Sequence, residues 1–401
     1  EDAKETDELK KLLPFTINKM LIAYKEMFSI EKHECFINHK CFIKDQELIY
    51  AGLFDNSILF EKQSSENSSE IKKNEVLQVP SKATSLNFQD VSHIKRINWG
   101  SNCNINNIGK EYSFSCYNLV EITIPKLVKE IPDYCFQHCH NLSILNFEED
   151  SILKDIGKYA FSYTKLQKVN LPKTVKHISR GAFSNNLYLK EVKFYGIIIE
   201  SDAFADTGLT KFILSDNTET ISNGAFQNCK SLKVFKINPE KSNLSSISSY
   251  AFAESGINKI DIPSKVQRIY SHTFSGCRFL KEVNISNDSV KYIDDYSFAE
   301  NLSLVKINIP KSIQCISPKA FINTPSLLSI MNESNSTYFV LENNIVIGED
   351  RSLYFVPRNL KQVKIPENIP IIHSGAFCGP HLKDVSFADD SLIEIERCGF
   401  A

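Results

Sequence analysis

The stretch Ile221-Ser-Asn-Gly-Ala-Phe226-Gln-Asn-Cys-Lys-Ser-Leu232-Lys-Val-Phe-Lys-Ile237 contains the pattern that decides the fold. An Ile, a small residue and a Phe come in that order, and a Leu and alternating apolar residues follow. The same Phe position recurs through most of the chain, at intervals of mostly 21–26 residues. Its members are Phe114, Phe136, Phe161, Phe183, Phe204, Phe226, Phe252, Phe274, Phe298, Phe321, Phe377 and Phe400. Self-similarity at a fixed period predicts a repeat architecture.

Two more positions recur in register with the Phe. The residue directly before it is small, with Ala in seven repeats and Cys135, Thr273, Ser297 and Gly399 in four others. An Ile lies five residues before the Phe at Ile131, Ile156, Ile178, Ile199, Ile221, Ile247, Ile269, Ile293, Ile316, Ile372 and Ile395. Chance does not place three matched positions in register this often, so each repeat is one structural unit. We expect the small residue to let a tight helical turn at the Phe approach the sheet closely.

Each repeat also contains a short strand. Segments such as Leu304-Val-Lys-Ile-Asn-Ile309-Pro310 alternate apolar and polar residues, which is typical of a strand with one buried face. The Pro lacks a backbone donor and ends the pairing. A unit of about 22 residues is too small to bury its own Ile, Phe and Leu, but stacked units bury them jointly. We therefore expect parallel strands about 4.8 Å apart in neighbouring turns of a solenoid.

The repeat resembles the BspA-like leucine-rich repeats, the Treponema-pallidum-type class. Phe226–Leu232 and Ile269–Leu280 carry the resemblance most closely, and it covers residues 76–401. It implies an α/β solenoid, a right-handed curved array of about a dozen turns with a parallel concave β-sheet. It also implies a surface protein of a bacterium or an anaerobic protist, with adhesion to host cells, matrix proteins or other microbes. The Asn-, Lys- and Ile-rich composition is similar to that of trichomonad-like members.

Residues 1–75 do not match the repeat, and we expect them to form a flanking region. Residues 6–29 have apolar residues on one helical face, which predicts an N-terminal cap or, alternatively, a helix that binds a partner. Residues 41–61 are expected to form strands. Residues 322–371 contain an insertion, in which strands Tyr338–Val340, Ile345–Ile347 and Leu353–Val356 predict a hairpin or small sheet at the solenoid edge. A chain that begins without Met and stops inside a repeat is expected to be a fragment or a processed product.

Charge and hydropathy exclude some functions. The chain has 46 Lys and Arg against 48 Asp and Glu, which argues against a broad nucleic-acid-binding surface. No apolar run reaches the roughly 18–20 residues of a membrane helix, so no membrane span is expected. Homo-oligomerisation stays open.

The chemistry-bearing residues form no recognisable catalytic set, since no phosphate-binding loop, HExxH motif or nucleophile elbow occurs. We expect no enzyme activity and no cofactor. Cysteines at repeat positions are expected to be buried free thiols that act as small hydrophobes, whereas Cys35, Cys41, Cys103 and Cys116 could pair. Two His/Cys clusters contain residue types that bind metals, but we expect no metal site at either. The first cluster has the wrong spacing for zinc, and the second includes two cysteines that the repeat assigns to the core. These clusters are His33, Cys35, His39 and Cys41, and Cys135, His138, Cys139 and His140.

The candidate binding surface consists of the strand positions that alternate with the buried ones. One column contains Arg96, Glu121, Ile144, Lys168, Glu191, Lys211, Val234, Lys259, Glu282 and Lys306. The other contains Asn98, Thr123, Asn146, Asn170, Lys193, Ile213, Lys236, Asp261, Asn284 and Asn308. The charged residues Lys168, Glu191, Lys193, Lys211, Lys236, Lys259, Asp261, Glu282 and Lys306 are the predicted site. The alternative is that this polar surface is merely solvated.

The leading hypothesis is macromolecular recognition at the cell surface or outside the cell, with a host or matrix protein or a glycan as partner. An intracellular, cytoplasmic scaffold for protein–protein interaction is the alternative, since the cysteines are placed in the core. A metal protein or enzyme centred on residues 1–75 is a third, more distant hypothesis.

Overall fold

The computed structural model describes residues 42–44, 47–49, 60–61, 76–79, 94–99, 103–108, 117–285, 289–310, 312–317, 319–327, 329–332, 338–340, 345–348, 350–357, 360–377, 382–388, 390–397 and 399–400. The chain divides into two units, Glu1–Ala51 with Leu59–Lys62, and the remainder. In the first unit, strands Phe42–Lys44, Glu47–Ile49 and Phe60–Glu61 pair antiparallel, as residues 41–61 predict. The predicted N-terminal helix and the His33–Cys41 cluster lie outside the described residues.

The second unit is a parallel β-solenoid, which confirms the fold that the repeat predicts. In each regular turn, the alternating segment forms a strand of a first sheet, and most neighbouring strands pair parallel and in register. The pairing is interrupted between Ile144–Phe147 and Lys168–Asn170, between Glu191–Lys193 and Lys211–Ile213, and between Val234–Lys236 and Lys259–Ile262. Its strands are Val76–Gln78, Arg96–Asn98, Glu121–Ile124, Ile144–Phe147, Lys168–Asn170, Glu191–Lys193, Lys211–Ile213, Val234–Lys236, Lys259–Ile262, Glu282–Ile285, Lys306–Ile309, Ser329–Asn332, Gln362–Ile365 and Asp384–Phe387.

A second sheet is built by the repeat Ile and the residue before it. Its eleven two-residue strands also pair parallel, in runs of six, three and two strands, and the Ile of each is buried in all but the last. They are Glu130–Ile131, Asp155–Ile156, His177–Ile178, Ile198–Ile199, Thr220–Ile221, Ser246–Ile247, Arg268–Ile269, Tyr292–Ile293, Cys315–Ile316, Ile371–Ile372 and Glu394–Ile395. The repeat thus contributes one strand to each of two sheets.

The residues around each repeat Phe, 223–228 in the case of Phe226, form a run of turns that we call the arc. No helix occurs in the described part of the chain. Around Phe226, φ is positive at Gly224 and Asn228, at 62° and 58°. Successive N–H groups between these two positions point in different directions. The Phe226 N–H donates to Ala251 O of the next turn at 2.8 Å, whereas the Gln227 N–H donates to Gly224 O of its own arc at 2.9 Å. The arcs therefore form a third ladder between turns, where the sequence predicts a tight helical turn.

The repeat Phe side chains form a continuous column through the core. Neighbouring rings from Phe136 to Phe321 lie 5.2–5.6 Å apart between centroids and within 17° of parallel. All except Phe321 are fully buried. Offset stacking of this kind is a favourable arrangement of aromatic rings. The small residue before the Phe is also buried and leaves room for the close approach of the arcs.

The insertion forms the expected antiparallel strands, at Tyr338–Val340, Val346–Gly348 and Leu353–Phe355. It differs from the prediction in that its third strand does not leave the solenoid edge. Leu353 pairs parallel with Ile372 in the second sheet, and Val356 N–H donates to Ala376 O at 3.0 Å. These residues therefore take the place of one second-sheet strand and one arc in the stack.

Candidate functional site

The open face of the first sheet carries the two columns of outward side chains in the predicted order. Lys168 lies opposite Glu191, Lys211 opposite Val234, and Lys259 opposite Glu282, which in turn lies opposite Lys306. The intervening residues Val169, Val192, Phe212, Phe235, Ile260, Val283 and Ile307 are buried. The alternation fixes which side chains face outward, since successive residues of a strand point to opposite faces.

Ion pairs occupy both ends of the predicted charged site. Lys168 Nζ lies 3.1 Å from a carboxylate oxygen of Glu191. Farther along, Glu282 lies between two lysines, at 3.6 Å from Lys259 Nζ and 3.7 Å from Lys306 Nζ. Lys259 Nζ also lies 3.9 Å from Asp261. Exposed pairs of this kind contribute at most about 1 kcal/mol each, so they mainly neutralise these stretches of the face.

The middle of the face is different. Lys193, Lys211 and Lys236 are all exposed, and none has a carboxylate within 4.0 Å among the residues that the structure describes. Two apolar side chains lie among them, Ile213, which is 55% exposed, and the half-buried Val234. We call these five residues the central basic patch. The sequence predicts the lysines but not that only these three of the predicted site lack a charged partner.

Asparagines continue the second column beyond the patch and hold neighbouring strands together. Asn284 Nδ2 donates to Asp261 Oδ1 at 2.8 Å. Asn308 bridges to the strand before it, because its Oδ1 accepts from Ile285 N–H and its Nδ2 donates to Ile285 O, both at 3.0 Å. This part of the face has most of its polar groups satisfied internally, which leaves fewer of them for a ligand.

A buried polar ladder lies three residues after the repeat Phe. Cys229 Sγ is 3.1 Å from Phe204 O of the preceding turn and 3.1 Å from Thr207 Oγ1. Cys277 makes the equivalent bond to Phe252 O at 3.0 Å. Related positions in the ladder are filled by Cys139, Thr164, Asn186, Thr207, Ser255, Asn301 and Thr324.

The ladder refines the prediction that these cysteines act as small hydrophobes. They are buried free thiols, as expected, but they also donate hydrogen bonds between turns. Burial raises the pKa of Cys229 and of Cys277 to about 12, and the hydrogen bonds to Thr207 and Ser255 oppose that shift. The signal in the sequence is that Cys, Thr, Ser and Asn exchange at one position, since all four can donate to a carbonyl.

The second His/Cys cluster does not converge on one point. Cys135 and Cys139 are buried in the core, whereas His138 and His140 are exposed on the arc. The two imidazole rings lie 5.4 Å apart, and His138 stacks on Tyr163 at 4.7 Å. Burial, followed by the neighbouring His140, lowers the pKa of His138. In the residues that the structure describes, no three His, Cys, Asp or Glu side chains are grouped so that they could hold a metal ion.

The repeat geometry agrees with a sequence-family comparison. The profile of the BspA type leucine rich repeat region, which spans six copies of the repeat, matches residues 59–190, 106–233, 197–328 and 350–401. The chain belongs to the BspA-type leucine-rich-repeat family. These matches together cover most of the solenoid and leave only residues 329–349, in the insertion, between two of them.

Several solved structures are similar to this chain. A leucine-rich repeat protein from Bacteroides ovatus is 19% identical, with 88% of this chain and 90% of that chain covered and a TM-score of 0.62. The pneumococcal vaccine antigen PcpA is 16% identical over 88% of this chain and 99% of its own, with a TM-score of 0.42. A leucine rich cell surface protein from Faecalibacterium prausnitzii is 17% identical over 90% and 97%, with a TM-score of 0.39. No functionally curated protein matches the chain significantly.

Within the described ranges, no helix combines the length and the apolar character that crossing a membrane requires.

Proposed function

We propose that this protein is a non-catalytic recognition protein that binds a macromolecular partner through the open face of its first sheet. The observation that carries the proposal is the central basic patch. Three unpaired lysines and an exposed isoleucine lie together on a rigid sheet, between stretches whose charges neutralise one another. A surface that is merely solvated has no need to keep like charges adjacent, because adjacent cations repel one another.

Family membership supports a protein-binding role for the solenoid. Stacked repeats present an extended, continuous surface, which suits a large partner better than a small molecule. We infer that the protein acts at the cell surface or outside the cell in adhesion, with a host or matrix protein or a glycan as partner. The insertion at 322–371 provides a further candidate contact region on the same solenoid.

Charge reversal in the central basic patch tests the proposed site. We expect Lys211→Glu with Lys236→Glu to weaken attachment of the full chain to immobilised host cells or matrix proteins. The effect should shrink as salt rises, because screening weakens interactions between exposed charges beyond a Debye length of about 8–10 Å. Binding is measured by surface plasmon resonance at low and high ionic strength.

A matched control changes the same net charge elsewhere. Lys154 and Lys176 are exposed and directly precede strands of the second sheet, so Lys154→Glu with Lys176→Glu leaves the open face intact. This control should bind as the unmodified chain does. Equal binding by both double variants would remove the patch from the recognition surface.

The second candidate function is an intracellular scaffold. The observation that favours it is the set of buried free cysteines, which a reducing compartment preserves. Antibody labelling of intact, non-permeabilised cells distinguishes the two functions. Surface staining supports adhesion, whereas staining that appears only after permeabilisation supports the scaffold.

A further inference from the structure

The central basic patch has a defined layout because its strands pair in register. Lys211 lies opposite Val234, and Ile213 lies opposite Lys236. On the other side, the Thr210 N–H donates to Lys190 O at 3.2 Å. The same bond, from Lys190 N–H to Gln167 O, precedes the paired strands at Lys168 and Glu191, so Lys193 lies beside Ile213 in the same way.

Ile213 is therefore surrounded by cations. Lys236 lies opposite it on the paired strand, about 4.8 Å away at the backbone, and Lys211 lies two residues before it, about 7 Å along its own strand. Lys193 lies on its other side, on the strand of the preceding turn. Lysine side chains are long and can reach over a ligand while their stems line an apolar contact. The layout is an apolar centre with three ammonium groups around it.

These two properties restrict the chemistry of the partner. Unpaired ammonium groups complement carboxylates or sulfates, since no carboxylate among the described residues lies within 4.0 Å of any of the three. An exposed isoleucine at the centre gains from a partner that covers it with an apolar side chain. A sulfated glycan supplies anions but covers Ile213 with polar groups. An acidic peptide with apolar residues supplies both the carboxylates and the apolar cover. Side chains on one face of an extended strand recur about every 7 Å, which matches the distance between Lys211 and Ile213 along their strand.

We propose that the central basic patch binds an acidic protein segment that places an apolar side chain on Ile213 and carboxylates on Lys193, Lys211 and Lys236. This inference rests on the proposed function and names the partner class of the same surface. Beyond the patch, Lys168, Lys259 and Lys306 already pair with Glu191 or Glu282, so these lysines attract further acidic residues less than the patch does.

The test is a selection from a random peptide library against the full chain. Peptides of about twelve residues span roughly 40 Å when extended, enough to cross the patch. Peptides that bind the unmodified chain are counter-selected against the Lys193→Glu, Lys236→Glu variant. We expect the remaining peptides to combine Asp or Glu with Leu, Ile, Val or Phe at alternate positions. Remaining peptides without net negative charge would overturn the proposal.

A second measurement isolates the apolar contact. The tightest selected peptide is titrated by fluorescence anisotropy against Ile213→Ser and the conservative Ile213→Val. Loss of about 1 kcal/mol of apolar burial corresponds to roughly 5-fold weaker binding for Ile213→Ser, and Ile213→Val should stay within about 2-fold. Equal affinity of Ile213→Ser and the unmodified chain would refute the apolar contact. Ile213 is exposed, so neither substitution is expected to disturb the fold.

Heparin serves as the probe for the competing class. If heparin binds the full chain through Lys193 and Lys236 and no acidic–apolar peptide is selected, the patch recognises a polyanion and the partner class proposed here is wrong. The proposed function fails separately, by unchanged attachment of the Lys211→Glu, Lys236→Glu variant. Weakened attachment without an acidic–apolar selection refutes the partner class alone.

Discussion

The Phe column predicts that a ring stacked on both sides contributes more to stability than a ring stacked on one side. Phe226 is fully buried, and its ring stacks between Phe204 and Phe252, at 5.4 Å from each. Phe212 and Phe235 from the first sheet meet the same ring edge-on, at 4.9 and 5.1 Å. Substitution of Phe226 by Ala removes a ring with aromatic neighbours in two other turns and on the first sheet.

The expected cost follows from this packing. Truncation of a buried Phe to Ala costs about 3–5 kcal/mol, as lost transfer free energy plus a cavity. The upper half of this range applies, because neighbouring rings on several sides hold the cavity open and each aromatic pair adds about 0.5–1.5 kcal/mol. Stability in stacked repeats is approximately a sum of repeat and interface contributions. Phe226→Ala weakens both interfaces of its turn.

Phe400 provides the matched control. Its ring is 46% exposed and stacks on Phe377 alone among the described aromatic residues, at 4.3 Å. We expect Phe400→Ala to cost about 1 kcal/mol or less, since only part of its 1.5–3 kcal/mol burial free energy is present. Urea unfolding followed by circular dichroism measures both free energies at a common m-value. Equal losses for the two variants, or a loss below about 1 kcal/mol for Phe226→Ala, would refute the column as the main source of stability.

Two further predictions concern the arcs and the buried thiols. At Gly181 φ is 61°, and a Cβ there would lie 2.2 Å from the Tyr159 ring. Gly181→Ala should therefore lower the free energy of unfolding by about 1–3 kcal/mol in thermal unfolding. Adding Tyr159→Ala should recover the part of this loss that comes from the clash with the ring. The pKa of Cys229 and of Cys277 is about 12 in the folded chain, against an ordinary value of 9.0. Their contribution to stability is therefore complete below pH 9 and is lost as the pH rises towards 12. At about pH 10 the two together should lower the unfolding free energy by roughly 3 kcal/mol relative to neutral pH. Replacing both by Ala should flatten this dependence, replacing the exposed Cys315 should not, and an unchanged slope in the double variant would contradict the buried-thiol assignment.

The sequence predicts the solenoid well because its core is periodic. Ile at one position, Phe five residues later and Leu after that can all be buried only if the turns stack, so three matched positions determine both sheets. The outward columns follow from the same register, and Lys168, Glu191 and Lys211 lie where alternation places them. These inferences need only the period of the hydrophobic residues.

The arcs could not be predicted in the same way. A short segment with a small residue and a Phe is compatible with a helical turn, and nothing in that pattern specifies positive φ at two positions four residues apart. Tyr159, Asp202 and His272 all adopt positive φ without being glycine. The hydrogen bonds between arcs compensate for this conformation, and they exist only once the turns have stacked. Long-range context therefore decides the backbone here.

The binding surface also depends partly on local sequence and partly on contacts between turns. Alternation along one strand assigns Lys211 and Lys236 to the open face, but their lack of ionic partners depends on which residues lie on neighbouring turns. Lys259 has the same outward position and is neutralised by Glu282, 23 residues away in the sequence. Turns vary between 21 and 26 residues, so the two members of such an ion pair are not a fixed number of residues apart in the sequence. Sequence spacing alone therefore does not identify these pairs. The central basic patch emerges only from the register of whole turns, and for that reason substitutions matched in charge but placed at different sheets are the decisive test of function.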